Sequence, residues 1–236
     1  MSAVSLKIKI LFQRVLNRSH IVLFGKNYKI KNIFNKFRQY TMIPNEIYYE
    51  NLELVSKFSN INGVVVECGV WKGGMIAGIA NILGLNRKYY LFDSFEGLPK
   101  AKDIDGDLAI KWQSDTSSDW YFDNCSADRR FAEQAMKLSG AENYYIEKGW
   151  FENTLIDYPF SDKIAVLRLD CDWYDSTFLC LEELFPKVVK NGLIIIDDYY
   201  TWDGCAIAVH DYLSKYKLAC RIRMTNKGIC YIIKNE

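Results

Sequence analysis

The sequence predicts an α/β protein in which a mostly parallel sheet carries helices on both faces. Three observations predict it. Short apolar runs, such as residues 64–67 and 193–197, alternate with segments of helical character, as in strand–helix–strand units. The runs are apolar at consecutive positions rather than every second one, so both faces of the sheet are covered. Several of them stop on carboxylates, at the strand ends where open α/β sheets bind ligands.

The elements follow in order. A short helix is expected over residues 4–17, and residues 19–41 mix aromatics and lysines without a period. Asn45 starts a helix running to about Phe58, with Tyr48, Leu52, Val55 and Phe58 on one face. Strand 64–67 leads through a turn at Gly69–Gly74 into an apolar helix ending near residue 85. Strand 88–93 ends on Asp93. A helix over 126–139, a strand over 143–147 and a turn at Gly149 come next. Strand 163–170 precedes a helix over 176–190, and strand 193–197 precedes a helix over 205–216. Residues 220–223 and 228–233 close the sheet as an antiparallel pair around Asn226, which makes seven strands. Residues 99–125 are polar, rich in Asp, Ser and Trp, and aperiodic. A loop of that length in a compact domain reads as a lid.

The 236 residues suit one domain with an appended arm, and half of them are hydrophobic. The net charge of +1 hides a split: residues 1–45 hold nine Lys or Arg and no acid, leaving 21 basic and 29 acidic residues beyond. The expected organisation is a basic arm over 1–44 and a catalytic domain over 45–236. The arm is expected to pack on a partner subunit or cover a ligand; its basic, acid-free character also resembles a transit peptide or a membrane-surface helix. Residues 21–24 are too short an apolar stretch for a signal peptide, and no run of about 18 apolar residues spans a membrane. Seven cysteines without a C-x-x-C spacing imply neither a zinc site nor a disulfide framework, and suit the cytoplasm. A homo-oligomer is expected, and no nucleic-acid partner.

The chemistry concentrates at three places. Glu67-Cys-Gly-Val-Trp-Lys-Gly-Gly74 lies between a strand and a helix. Its glycines permit a tight turn and a close approach of ligand to backbone, but Trp71 occupies the place of the second glycine of a dinucleotide fingerprint. An acid at that strand end suits a cationic cofactor, and S-adenosylmethionine carries both a sulfonium and an ammonium group. Asp93, 26 residues on, stands where an acid accepts hydrogen bonds from ribose hydroxyls; the alternative is a turn or capping Asp. Phe95 could pack on an adenine.

The third place is the set of paired acids. Asp170 and Asp172 end one apolar strand, and Asp197 and Asp198 end another. Neighbouring strands run about 4.8 Å apart, so the four carboxylates would converge. A hard divalent cation, Mg²⁺ above all, relieves their repulsion, and a carboxylate left off the metal can take a proton. The alternative is that one pair caps a helix or pairs with Arg168 or Lys187. Trp112, Trp120, Tyr121 and Phe122 could stack on a sugar ring or simply pack the lid down. His210 reads as structural, and His20 has no role.

These motifs, with Phe92-Asp-Ser-Phe-Glu-Gly-Leu-Pro99, Lys148-Gly-Trp-Phe151, Leu167-Arg-Leu-Asp-Cys-Asp-Trp-Tyr-Asp-Ser-Thr177 and Ile195-Ile-Asp-Asp-Tyr199, resemble the macrocin O-methyltransferase family, whose members methylate macrolide and aminocoumarin sugars. The resemblance covers residues 45–233. It implies a Rossmann-like class I methyltransferase fold that uses S-adenosyl-L-methionine and Mg²⁺ on a hydroxyl of a sugar, a glycosylated small molecule or a glycan precursor. By motif position it implies Asp170, Asp197 and Asp198 as metal ligands and Asp172 as general base. Glu67, Gly69 and Val70 would line the methionine side of the cofactor, Asp93 and Ser94 its ribose, and Gly149 and Trp150 its adenine. Cys171 stands where the family commonly has glycine. A metal-dependent phosphoesterase on the same acids and a non-catalytic cofactor-binding module are the competing readings.

Overall fold

The computed structural model describes residues 28–156 and 158–235. The expected helix at 4–17 and His20 lie outside them. Residues 28–37 form helix α1. It is followed by α2 (Asn45–Ser56), β1 (Val64–Cys68), α3 (Gly74–Leu83), β2 (Tyr89–Asp93), α4 (Asp107–Ser114), α5 (Arg129–Ser139), β3 (Tyr144–Lys148), α6 (Phe151–Thr154), β4 (Ile164–Leu169), α7 (Tyr174–Leu184), β5 (Val188–Ile196), α8 (Asp203–Lys215), β6 (Ile222–Met224) and β7 (Cys230–Ile233). Seven strands form one sheet in the order β3-β2-β1-β4-β5-β7-β6. Strands β1 to β5 pair in parallel, and β7 runs antiparallel to β5 and to β6. No described helix is long and apolar enough to cross a membrane.

Both faces of the sheet are buried, which is why the strands read as unbroken apolar runs. Side chains alternate across the pleat. Val65, Val166, Leu193 and Ile195 point to one face, with Tyr48, Leu52, Ile76, Ile79 and Met136 of α2, α3 and α5. Val66, Cys68, Leu167, Leu169, Ile194 and Ile196 point to the other, with Leu181 and Leu184 of α7 and Val209 and Leu213 of α8. The predicted face of α2 is therefore the buried one. Gly78 lets α2 and α3 close up, since a Cβ there would lie 2.0 Å from the Tyr48 hydroxyl, which donates to the Gly74 carbonyl.

Four expectations need correction. Residues 28–44 are no detached arm: Ile30, Ile33 and Phe37 of α1 are buried in the first core, so part of the basic segment is integral to the domain. The helix expected over 176–190 stops at Leu184. Pro186 sits in the turn that follows, and β5 already begins at Val188. A shift in the β4–β5 register over Ile164–Val166 and the left-handed Asn191 (φ 64°) absorb the extra residues as a bulge. Finally, residues 99–125 are not structureless. They hold a 3₁₀ turn, Asp103–Asp105, and the helix α4, whose only buried residue is Ala109. One small apolar contact leaves no amphipathic signal to read.

Candidate active site

A cavity of about 1220 Å³ opens at the carboxyl ends of the parallel strands. Gly69, Trp71, Asp93, Ser94, Gly149, Trp150 and all four paired aspartates line it. The period-two register explains its floor. Glu67 of β1 faces Arg168 of β4, and Asp170 and Asp197 are two residues beyond Arg168 and Ile195, which face each other across β4 and β5. Residues spaced by two share a face, so one guanidinium lies beneath the acids. Arg168 Nη1 donates to Glu67 Oε1 and to Asp170 Oδ2, each at 2.7 Å, and Nη2 donates to Asp197. The Arg168 and Glu67 side chains are 1% exposed, whereas Asp170 and Asp197 keep 30% and 25% of theirs open to the cavity. Burial works against the Arg168 charge, but Asp170, Asp197 and Glu67 outweigh it and hold the guanidinium above the usual arginine range.

Glu67 therefore does not line the cofactor cavity as expected. It is the buried counter-ion of Arg168, because it sits one residue inside the strand end rather than at it. Val70 is likewise turned into the first core, and only its backbone serves the site, donating at 2.7 Å to Asp93 Oδ2. Trp71 N also donates to that oxygen at 2.8 Å, and Phe95 N donates to Oδ1 at 2.6 Å. Asp93 thus organises the turn. A carboxylate oxygen accepts about two bonds, so one acceptor position on Oδ1 remains for a ligand. Ser94 is similarly committed, donating to Gly97 O and accepting from Glu96 N. Trp71 adopts the left-handed backbone (φ 47°) that a glycine would otherwise supply. Phe95 is buried in the first core and does not reach the cavity.

Gly69 shows why this corner tolerates no side chain. Its φ is +80°, and a Cβ would lie 1.8 Å from the Asp170 carbonyl oxygen. Gly69→Ala should destabilise the protein by at least ~2 kcal/mol through backbone strain and the collision. Urea denaturation checks this; an unchanged midpoint would refute the packing described.

Ligand oxygens of Asp170, Asp197 and Asp198 lie within 4.8 Å of one another. This all-oxygen set fits a hard divalent cation. Burial, with Asp172 and Asp170 nearby, raises Asp198 well above the carboxylate range. Burial and the Asp197 charge lift Asp170 to about 6, against the pull of Arg168. Asp172 stands apart from the three. Its backbone is left-handed (φ 57°) and its N–H donates to Asp198 Oδ2 at 3.1 Å. Burial and the charge of Asp170 push it up to about 8.

The lid is rooted beside these acids. Asp105, buried in the 3₁₀ turn, accepts from Tyr174 N at the start of α7 and from Lys102 N, each at 2.8 Å. A Cβ on Gly204 of α8 would lie 2.2 Å from Asp105 Oδ1. Trp112, Trp120 and Phe122 of the lid line the cavity, and Tyr121 does not. His210 contacts the Tyr199 hydroxyl at 2.9 Å, away from the cavity. Two participants were not read from the sequence. In the sequence Arg168 reads only as a rival partner for the acids, although its place two residues before Asp170 carries the signal. Trp202 lines the cavity and touches Asp172 across 30 residues of chain, and no local pattern marks it.

The Macrocin-O-methyltransferase (TylF) family matches residues 11–232, so the similarity begins well before residue 45 and takes in most of the basic segment. Among relatives, the demethyldecarbamoylnovobiocin O-methyltransferase of Streptomyces niveus is 32% identical over 68% of this chain and 62% of its own length. The mycinamicin III 3''-O-methyltransferase of Micromonospora griseorubida is 31% identical over 69% of this chain and 65% of its own. The chain thus spans less than two thirds of the length of these curated relatives. The O-methyltransferase NovP superposes with a TM-score of 0.70 at 27% identity, covering 84% of this chain and 83% of that one. The calicheamicin methyltransferase CalS11 shares the fold, with a TM-score of 0.60 at 18% identity over 89% of this chain and 93% of its own.

Proposed function

The chain belongs to the macrocin O-methyltransferase family, and from that premise we propose that it transfers a methyl group from S-adenosylmethionine to a hydroxyl of a sugar or glycosylated small molecule, with Mg²⁺ at the acidic cluster. The observation that carries the reading is the division of labour among four adjacent carboxylates. Asp170, Asp197 and Asp198 bring ligand oxygens together, while Asp172 lies beside them with a raised proton affinity.

Asp170, Asp197 and Asp198 would hold the metal. The Gly69 turn, Asp93 and the Gly149–Trp150 corner would hold the cofactor. When bound, S-adenosylmethionine supplies an electrophilic methyl group, and Mg²⁺ supplies charge that lowers the pKa of a nearby hydroxyl. Asp172 then takes the acceptor's hydroxyl proton on its carboxylate. Arg168 donates to Asp170 and to Asp197 and so aims both. Trp112, Trp120 and Phe122 offer faces for a sugar ring and keep water from it. Much of the rate enhancement comes from holding the reactants in line.

S-adenosylhomocysteine at about 100 times its Kd should stabilise the protein by ~2.7 kcal/mol, raising Tm by about 5–10 °C for a domain of this size. Methylation of a glycoside panel should require Mg²⁺ and stop on addition of EDTA. No thermal shift together with Mg²⁺-dependent phosphoester hydrolysis would replace this reading with the phosphoesterase. A shift without turnover on any acceptor would leave only a binding module.

A further inference from the structure

Three indoles pack against one another beside the acids. Trp173 and Trp202 have ring centroids 5.2 Å apart, and Trp112 of the lid lies 6.0 Å from Trp202 and 6.3 Å from Trp173. Each indole N–H is used. Trp112 Nε1 donates to the Trp120 carbonyl at 2.7 Å, and Trp173 Nε1 to the Pro99 carbonyl at 2.9 Å. These two tie the lid to itself and to the body. The third is different: Trp202 Nε1 donates at 2.9 Å to Asp172 Oδ1.

We infer that Trp202 is a positioning residue for Asp172, fixing the rotation of its carboxylate and leaving Oδ2 as the oxygen presented to the acceptor hydroxyl. The inference rests on the reading of Asp172 as the base. An aspartate χ2 is a broad torsion with no sharp preferred value, so the backbone alone does not aim the two oxygens. The backbone is already fixed, since Asp172 N donates to Asp198 Oδ2. What remains free is the carboxylate rotation, and a donor on one oxygen removes that freedom. Among the described residues, Oδ1 has the Trp202 donor and Oδ2 has none.

An indole suits this task. It is donor only, so it cannot accept the proton that Asp172 collects. It is also rigid and held at both ends. Its ring is flanked by Trp173 and Trp112, and its backbone N–H donates to the Asp198 carbonyl at 3.0 Å. Asp198 thus anchors the backbone of Trp202 through its carbonyl and that of Asp172 through its carboxylate. The base and the group that aims it share one support.

Trp202→Phe keeps a ring between Trp112 and Trp173 and deletes the N–H. A hydrogen bond to a charged group of this kind corresponds to a fall in kcat of roughly 10–100-fold. The acceptor is the glycoside that the wild-type protein methylates fastest. Its KM, and the thermal shift given by S-adenosylhomocysteine, should stay within about twofold of wild type. Because the effect passes through Asp172, adding Trp202→Phe to Asp172→Asn should lower kcat little further. An unchanged kcat in the single variant, a loss carried by KM alone, or an equal loss in the Asp172→Asn background would overturn the inference. Full turnover in Asp172→Asn alone would overturn the base reading and this inference with it. Should Trp202→Phe fail to fold, the indole resonances of the otherwise wild-type chain decide. In Asp172→Ala the Trp202 Nε1–H resonance should move most among the six indoles, and an unmoved resonance would refute the contact.

Discussion

Asp172→Asn is expected to lower turnover by roughly 10²–10⁴-fold, the usual contribution of a general base, while the protein still binds S-adenosylhomocysteine and Mg²⁺. The geometry sets both halves of the result. Asp172 lies outside the trio whose oxygens converge within 4.8 Å, so the proposed metal site would keep its donors. An asparagine preserves the acceptor for the Trp202 indole, which donates to Oδ1, and leaves the backbone bond to Asp198 Oδ2 in place. Only proton affinity is lost. Steady-state kinetics, read beside a cofactor thermal shift and a Mg²⁺ titration, measure the three quantities separately. A variant that retains turnover would remove Asp172 from the chemistry. A variant that loses Mg²⁺ binding would make it a ligand instead.

The second large effect is on stability. Arg168→Met should destabilise the protein by about 3–5 kcal/mol, the range for removing one partner of a buried ion pair. Three carboxylates lose their shared donor at once, and Glu67 is left 1% exposed with no cation. Burial already raises the Glu67 carboxyl to about 8 despite Arg168. Without the guanidinium its folded pKa rises further above the ordinary value. A group whose folded pKa exceeds its unfolded one binds more protons when folded, so stability falls as pH rises between the two. The two folded proteins differ in proton count on Glu67 only above the wild-type value near 8, so the deficit of Arg168→Met should be smaller at pH 5 than at pH 9. Urea unfolding at both values tests this, and a variant within ~1 kcal/mol of wild type would contradict the ion cluster described.

The strands were the legible part of this fold. Runs such as 64–67 and 193–197 sit between two cores, and burial on both faces leaves a mark in composition that needs no partner to be seen. Elements without such a mark were missed. Helix α4 buries only Ala109, and α1 hides Ile30, Ile33 and Phe37 among lysines that dominate its surface. The boundary between α7 and β5 failed for another reason: Pro186 and a bulge at Asn191 compress a helix end and a strand start into a few residues. At the site, the four aspartates were readable because each pair ends a strand. What surrounds them was not. Glu67 faces Arg168 through strand pairing, and Trp202 meets Asp172 across a turn. Both contacts are set by register and topology, which one-dimensional spacing carries only in part.

The buried anchor at Asp105 bears on how a bulky acceptor gets in and out. Its carboxylate fastens the base of the lid to the first turn of α7, and Gly204 of α8 admits it at a distance no side chain would allow. The stretch holding Trp120 (75% exposed) and Phe122 (46% exposed) is tied within the lid, by the Trp112 indole donating to the Trp120 carbonyl, and among the described residues it has no bond to the helix starts. On the proposed function, the outer half of the lid would be the part that yields to an acceptor. Acceptors of different size would pass there without disturbing the helix starts beside Asp172, so substrate breadth and the speed of methyl transfer would be separable properties.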